Sequence, residues 1–325
     1  MNREKGMMMR LTVLILAAAT VCQYVAQSQI VDESGDVRRL AGMTRQRPSL
    51  IMRKDQSVLE LQTEARPGIQ ESGAVEEFGE AIEDNSFFIE EAYNQEPGVV
   101  QHIFNATHFP KHDQNLALSF TQEWPFPDLT HQISFTVPYS VLQRGSVSGF
   151  GDVMINYRYQ VFTSHDWAAF SPRLSILLPT GQESRGLGQG TVGLQGNLPF
   201  SKRWSDDIVT HFNVGMTVFP KSRVLRSDGN LATETLTTVA LGGSFIWLTE
   251  TGFNLMVEFL QTESNEFDEE GNLTHASETI VSPGMRFAVS FGSLQIVPGA
   301  AAPFSFGDGD VHAGVFLYLS FEHPF

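Results

Sequence analysis

The chain has 325 residues and a formal net charge of -16, with a sequence pI of about 4.9. This acidic balance argues against nucleic acid as a partner, because neutralising a phosphate backbone needs clustered Lys and Arg side chains. The 25 Phe and 28 Gly residues favour strands and turns over helices.

The first 28 residues have the features of a secretory signal peptide. Basic residues precede an apolar run at 11–21, and the small residues Ala26 and Ser28 follow it. The apolar run is much shorter than the roughly 20 residues that a membrane-spanning helix needs. We therefore predict cleavage after Ser28 and export. Cleavage also removes Cys22, the single cysteine, so the exported chain would have no disulfide and no Cys-metal site.

The next region, 29–85, is rich in charged residues, Gln, Ser and Gly and shows no sustained alternation. This composition predicts a flexible periplasmic arm, and a plug or partner-binding segment is the alternative. In the plug alternative, arginines of a lumen would attract the acidic stretch 76–84. The stretch that follows is predicted to form a short docking helix, and the carboxylates of Glu90, Glu91 and Glu96 are expected on its solvated face.

From Val99 onward the sequence alternates between apolar and polar residues. Val153 and Ile155 share one parity, for example, whereas Asn156 and Arg158 share the other. Side chains of one parity lie on one face of a strand. We predict twelve strands, at 99–109, 115–123, 129–137, 150–162, 167–178, 190–199, 207–219, 234–247, 252–261, 278–290, 293–300 and 311–323.

A soluble antiparallel sandwich would show the same alternation, but two features favour a membrane barrel. The predicted connections on one side, such as 220–233 and 262–277, are mostly long and polar, whereas those on the other side are shorter. Outer-membrane barrels have this loop pattern. The less apolar parity also carries more polar groups than a dry core could hold. We therefore predict an all-β fold, a transmembrane antiparallel up-and-down β-barrel of about twelve strands within residues 86–325.

In such a barrel the apolar parity faces lipid and the polar parity lines a hydrated lumen. The hairpin between the fourth and fifth strands places Arg158 beside Arg173 on the lumen face. Like charges this close need water, an acid or a ligand between them. The sequence supports either a network with Asp152, Glu123 or Glu258, or a constriction that favours anionic or hydrogen-bonding solutes. The predicted lumen-lining residues are Asp152, Asn156, Arg158, Arg173, Gln195, Asn197, Glu258 and Arg286.

The final strand alternates up to the last residue of the chain. Its apolar parity carries Leu317, Leu319, Phe321 and Phe325. A closing strand that ends on an aromatic residue is similar to the signal that the bacterial barrel-assembly machinery recognises. We therefore predict insertion into a bacterial outer membrane, with outer-membrane lipid and the assembly machinery as partners.

Three stretches occur in this order within the predicted barrel: "GFGDVMINYRYQ" (149–160), "SPRLSILLPTGQ" (171–182) and "GLGQGTVGLQGNLPFS" (186–201). Together they resemble the outer-membrane barrel family named for the meta pathway of phenol degradation. The resemblance covers about residues 86–325 and implies a transporter-like barrel. It does not identify a solute.

The sequence leaves three classes of function open. The leading hypothesis is an outer-membrane channel for passive passage of small solutes, including aromatic or poorly soluble ones. The alternatives are a structural or surface-interaction barrel with a closed lumen, and a membrane enzyme. The sequence contains no Gly-x-Ser-x-Gly motif, and loop composition explains the acidic stretches 268–272 and 307–310 better than calcium binding does. We therefore expect no catalysis, no cofactor and no metal.

Overall fold

The computed structural model describes residues 86–110, 115–142, 145–163, 166–225, 231–249, 252–268, 271–307 and 310–325. The predicted signal peptide and the predicted arm lie outside the described residues. The strands are β1 (Val99–His108), β2 (Leu116–Pro125), β3 (His131–Leu142), β4 (Val147–Phe150 and Val153–Tyr159), β5 (Ala169–Phe170 and Arg173–Leu178), β6 (Gly193–Ser205), β7 (Ile208–Leu225), β8 (Leu231–Leu248), β9 (Phe253–Phe267), β10 (Leu273–Phe287 and Val289–Phe291), β11 (Leu294–Ala301 and Phe304–Gly307) and β12 (Asp310–Ala313 and Val315–Pro324).

The strands form one closed antiparallel sheet. Each strand pairs with the next along the chain, and β12 pairs with β1 from Val99↔Pro324 to His108↔Val315. Because the sheet closes, no strand edge is left to hydrocarbon. The predicted twelve-stranded up-and-down barrel is confirmed. We call the end where β1 begins and β12 ends the near mouth, and the opposite end the far mouth.

Helical structure is a minor part of the described ranges and includes a short 3₁₀ turn, Glu183–Arg185. In the part of the chain that the structure describes, no helix has the length and apolar character needed to cross a membrane.

The alternation of apolar and polar residues in the sequence corresponds to alternating outward and inward side chains in the structure. In β9, the side chains of Phe253, Leu255 and Val257 are exposed, whereas those of Asn254 and Glu258 are buried inside the barrel. Exposed aromatic residues gather at the near mouth, where a membrane interface favours them. This near-mouth group contains Phe126, Trp167, Trp204, Trp247, Phe253, Phe291 and Phe325.

The closing strand follows the same pattern. Leu317 and Leu319 are exposed on the outer face, Phe321 is half-buried, and Phe325 is exposed at the near mouth. The residues between them face inward, and among these Phe316 is almost fully buried. This placement puts the predicted assembly signal on the outer surface, and its role in assembly remains a prediction.

The hairpins β7–β8 and β9–β10 continue beyond their predicted ends. We expected polar connections at 220–233 and 262–277, but most of these residues belong to the strands. The expectation was wrong because the outward side chains of the extensions are polar, as Lys221 and Arg223 illustrate. Apolar side chains on the inner face of these strands join a buried cluster near the far mouth. This cluster contains Met154, Leu177, Phe219, Val224, Ala232, Leu236 and Phe267.

Candidate functional site

Residues 86–95, which we call the inserted segment, lie inside the barrel. The segment has no regular secondary structure, so the predicted docking helix is wrong, although the segment does dock. Its backbone N–H groups donate to side chains of the barrel wall, as the contacts below show. A helix would require several of the same groups for its own hydrogen bonds, so the wall and a helix compete for these donors.

Glu258 on β9 holds the start of the inserted segment. Its Oε1 accepts hydrogen bonds from the backbone N–H of Phe87 (3.0 Å), Phe88 (2.7 Å) and Ile89 (3.0 Å). Three consecutive N–H groups that converge on one carboxylate oxygen form an anion-binding turn. Ser86 adds a hydroxyl contact of 2.7 Å to Ser244 on β8. Glu258 therefore acts as a clamp on a segment that belongs to no strand.

Glu90 lies between the two arginines that the sequence predicted to be neighbours. Arg158 and Arg173 are direct cross-strand partners, which confirms that prediction. Nε of Arg173 lies 3.0 Å from each carboxylate oxygen of Glu90, Arg158 donates to the same carboxylate, and Nδ2 of Asn197 lies 2.6 Å from Oε2. The expected solvated position of Glu90 is wrong, since its side chain is only 9% exposed.

The protonation of Glu90 follows from these partners. Burial raises the pKa of the carboxyl group. The positive charges of Arg173 and Arg158 have the opposite effect and outweigh it, so that the pKa falls to about 2. Burial raises the pKa of the neighbouring Glu91, whose Oε1 lies 3.8 Å from Nη1 of Arg158. At neutral pH, Glu90 is ionised and offsets one of the two positive charges of the arginine pair.

The rest of the inserted segment follows the wall towards the near mouth. Asn213 on β7 binds both the N–H and the carbonyl of Glu90, at 2.8 and 2.7 Å. The N–H of Ala92 donates to Ser201 on β6 (2.7 Å), and the N–H of Asn94 donates to Gln160 (2.9 Å). Amide and hydroxyl side chains of the lumen thus take the place of a partner strand.

Aromatic packing holds the opposite side of the segment. The ring of Phe87 lies 5.2 Å from the rings of both Phe316 and Tyr318 on β12, and the ring of Phe88 lies 4.8 Å from that of Phe316. Gly299 on β11 permits this approach, because a Cβ there would lie 2.6 Å from the ring of Phe87. This side of the lumen is apolar and filled.

A cavity of about 70 Å³ remains between the inserted segment and the wall. Glu90, Arg158 and Arg173 border it, and Ile103 and Tyr318 add apolar surface. The remaining wall is mostly uncharged and hydrogen-bonding. Its polar side chains on β1 to β4 are Asn105, Thr121, Glu123, Ser134, Thr136 and Asn156.

Six of the eight predicted lumen residues meet around the inserted segment. Asn156 and Gln195 accept hydrogen bonds from Arg173 at 3.0 and 2.9 Å, and Arg158, Asn197 and Glu258 make the contacts described above. The other two are placed differently. Arg286 is buried opposite Gly299, where its charge acts on Glu91, whereas Asp152 lies in the break of β4 and accepts the N–H groups of Gly181 (2.9 Å) and Gln189 (2.8 Å).

These contacts assign Asp152 to positioning the β5–β6 connection. Leu187 of that connection is buried against Leu142, on the inner side of the far mouth. Glu123, another predicted partner of the arginines, accepts a hydrogen bond from Gln132 (2.7 Å). Sequence reasoning missed Glu90 as the balancing acid. The available signal was the apolar run Phe87–Ile89 immediately before it, because such a run needs a surface to cover it.

The closed barrel, its apolar outer belt and its polar interior define an outer-membrane β-barrel. The chain belongs to the family described as "Putative MetA-pathway of phenol degradation", whose model matches residues 96–304. The resemblance drawn from the three sequence stretches is therefore confirmed.

Solved structures with a similar fold include an outer membrane channel from Pseudomonas putida F1. It has 12% identity and a TM-score of 0.52, over 72% of this chain and 98% of that chain. The NanC porin matches at 7% identity and a TM-score of 0.45, over 70% of this chain and 100% of that chain. The CymD monoaromatic hydrocarbon channel matches at 9% identity and a TM-score of 0.35, over 71% of this chain and 89% of that chain. The likeness to the Pseudomonas channel supports the fold alone. A search of curated proteins gave no match.

Proposed function

We propose that this protein is an outer-membrane channel for the passive passage of small solutes. The observation that carries the proposal is the polar cavity between the barrel wall and the inserted segment. One wall of the cavity is a fixed sheet. The other is a short segment held by side chains, which can move without breaking the sheet.

The chemistry of the cavity supports a class of solute. Hydroxyl and amide groups along β1 to β4 can replace part of the hydration of a polar group. Phe87, Ile89 and Tyr318 on the other side offer apolar contact. Small solutes with one hydrogen-bonding edge and one apolar face fit both sides, and this description includes aromatic and poorly soluble molecules.

Planar-bilayer recording tests the proposal. The full chain is compared with a variant that lacks residues 29–85 and with one that lacks residues 29–95. We expect discrete conductance steps for the full chain and larger steps when the inserted segment is removed. Equal steps for the full chain and the 29–85 deletion would assign occlusion to the inserted segment and not to the arm. No conductance from any of the three, despite correct folding, contradicts a channel.

A structural or surface-interaction barrel with a closed lumen is the second candidate. The inserted segment favours it, because the segment fills much of the lumen and is itself largely buried. The same recording separates the two functions, since a closed barrel stays silent in every variant that retains the segment.

An enzyme is the least supported candidate. Oγ of Ser201 lies 2.6 Å from Nδ1 of His211, a pairing that the sequence spacing did not suggest. Both residues are almost fully buried, and Ser201 already accepts the N–H of Ala92. A substrate carbonyl has no access to Ser201 while the inserted segment is docked. Hydrolysis of lipid or ester substrates by the pure protein would revive this candidate.

The proposed location is a bacterial outer membrane, reached after export by a cleaved signal peptide. Phe325, with Leu317 and Leu319 on the same outer face, is the proposed signal for the assembly machinery. Deleting Phe325 should lower the amount of folded, heat-modifiable protein in outer-membrane fractions. Unchanged amounts would remove Phe325 from this role.

A further inference from the structure

The narrow part of the cavity carries an unusual arrangement of charge. Two arginines face each other on adjacent strands of the wall, and the acid between them comes from the inserted segment. The side chains of Arg158 and Arg173 are 4% and 5% exposed, so little bulk water screens them. A wall with these two residues alone would present two positive charges to a passing solute.

We propose that Glu90 sets the charge selectivity of the channel. With Glu90 docked, its carboxylate offsets one of the two positive charges of the arginine pair. Without Glu90, the same constriction presents both positive charges and prefers anions more strongly. This inference rests on the proposed channel function and assigns the solute class of the cavity already described.

The geometry favours Glu90 over the other acids that border the cavity. Its carboxylate contacts both arginines and receives a further hydrogen bond from Asn197. Glu91 lies 3.8 Å from Arg158 and does not bridge the arginine pair, and Glu123 is held by Gln132. The lowered pKa of Glu90, about 2, keeps its charge at neutral pH. Removing this one carboxylate therefore makes the constriction more positive by one charge.

Reversal potentials in a KCl gradient measure this effect. Glu90→Gln should raise the chloride-to-potassium permeability ratio, since a unit charge about 5 Å away in water favours chloride and disfavours potassium, each by a factor of roughly four. Arg173→Gln should lower the ratio. The double variant Glu90→Gln/Arg173→Gln restores the net charge and should return the ratio close to that of the wild-type protein.

The control is Glu263→Gln, which makes the same chemical change on the exposed outer face of β9. It should leave the ratio unchanged. Heat-modifiable gel mobility establishes that each variant is folded. If Glu90→Gln does not fold, the predicted fall of the permeability ratio in Arg173→Gln still tests the effect of charge at the constriction.

The outcomes separate this inference from the channel function itself. Conducting variants whose permeability ratios do not move with Glu90 or Arg173 overturn the selectivity role and leave the channel intact. A ratio that rises in Glu90→Gln but does not return in the double variant also overturns it, because charge would not be the cause. Absence of conductance in all variants overturns the channel function, and the selectivity role with it.

Discussion

The two sides of the lumen hold the same inserted segment by different physics. The side formed by β3 to β7 binds it with amide, hydroxyl and arginine side chains, whereas the side formed by β8 to β12 packs apolar and aromatic groups against it. Glu258 and Ser244 are polar exceptions on the second side. The cavity borders the polar wall, and the aromatic side is filled.

This difference shows which side of the lumen can form a path. Polar contacts to the segment can be exchanged for contacts with water, because both states satisfy the same donors and acceptors. Aromatic contacts have no such replacement in water, so their loss costs the full burial free energy. The segment should therefore loosen first from the polar wall and remain attached to β12 through Phe87 and Phe88.

The largest expected effect is that of Glu258→Ala. The change removes one acceptor from three backbone N–H groups, each bond contributing about 1.5 kcal/mol or more because the acceptor is a carboxylate. We expect the mean conductance in planar bilayers to rise several-fold as the segment is released. Glu263→Ala, on the outer face of the same strand, is the matched control. Equal conductance in the two variants would show that the clamp does not hold the segment.

A smaller effect is expected from Phe316→Ala. The change removes ring contacts of 5.2 Å to Phe87 and 4.8 Å to Phe88, at a cost of about 3 kcal/mol. Conductance should rise less than in Glu258→Ala, because the polar anchors remain. Val315→Ala, on the lipid-facing side of the same strand, controls for a general loss of stability. A larger rise than in Glu258→Ala would show that the aromatic contacts, and not the Glu258 clamp, are the stronger hold on the segment.

The barrel itself could be predicted from the sequence because apolar and polar residues alternate along each strand, one kind facing outward and the other inward. All twelve strands were located in this way, and Arg158 was paired with Arg173 from hairpin register alone. The errors fell where a polar outer face made a strand look like a loop, as at 220–225. The alternation shows whether a face meets lipid or water. It does not show where a strand ends, because a strand that continues beyond the membrane has a polar outer face.

The inserted segment could not be predicted in the same way. Its contacts join residues far apart in sequence, such as Glu90 with Arg173 and Phe87 with Phe316. No regular spacing in the sequence predicts these contacts, and nothing in the sequence distinguishes Glu90 from an ordinary surface acid. One hint was present in β12, where the inward residues Phe316 and Tyr318 are aromatic and not polar. An apolar residue on a lumen face indicates that something covers it.

Locking the segment is expected to produce a moderate and reversible effect. Oγ of Ser86 and Oγ of Ser244 are 2.7 Å apart, so cysteines at both positions are placed to form a disulfide. Under oxidising conditions the double variant Ser86→Cys/Ser244→Cys should show fewer large openings, and reduction should restore them. The single variant Ser86→Cys should not respond to oxidant. If the oxidised double variant opens as freely as the reduced one, residue 86 does not move during opening.

The smallest expected effect is the response of the wild-type protein to acid. The pKa of Glu90 is about 2 in the docked segment and near 4.5 when the segment is released, so docking is favoured at neutral pH. A carboxyl group with a lowered pKa stabilises the docked state above its released value, and this contribution disappears as the pH falls through the docked value. The charged groups that face Glu90 are Arg158, Arg173, Glu91 and Glu123.

The contribution of Glu90 to docking should therefore be lost as the pH falls from 4.5 to about 2, and conductance should rise over that range. The variant Glu90→Gln isolates the contribution of this residue from that of carboxyl groups that do not face it, because those groups titrate equally in both proteins. Its conductance at neutral pH should already be raised, and its response to acid should be smaller. An identical acid response in the two proteins would assign the effect to other carboxyl groups. The arginine pair would then hold the segment through contacts that do not depend on the charge of Glu90.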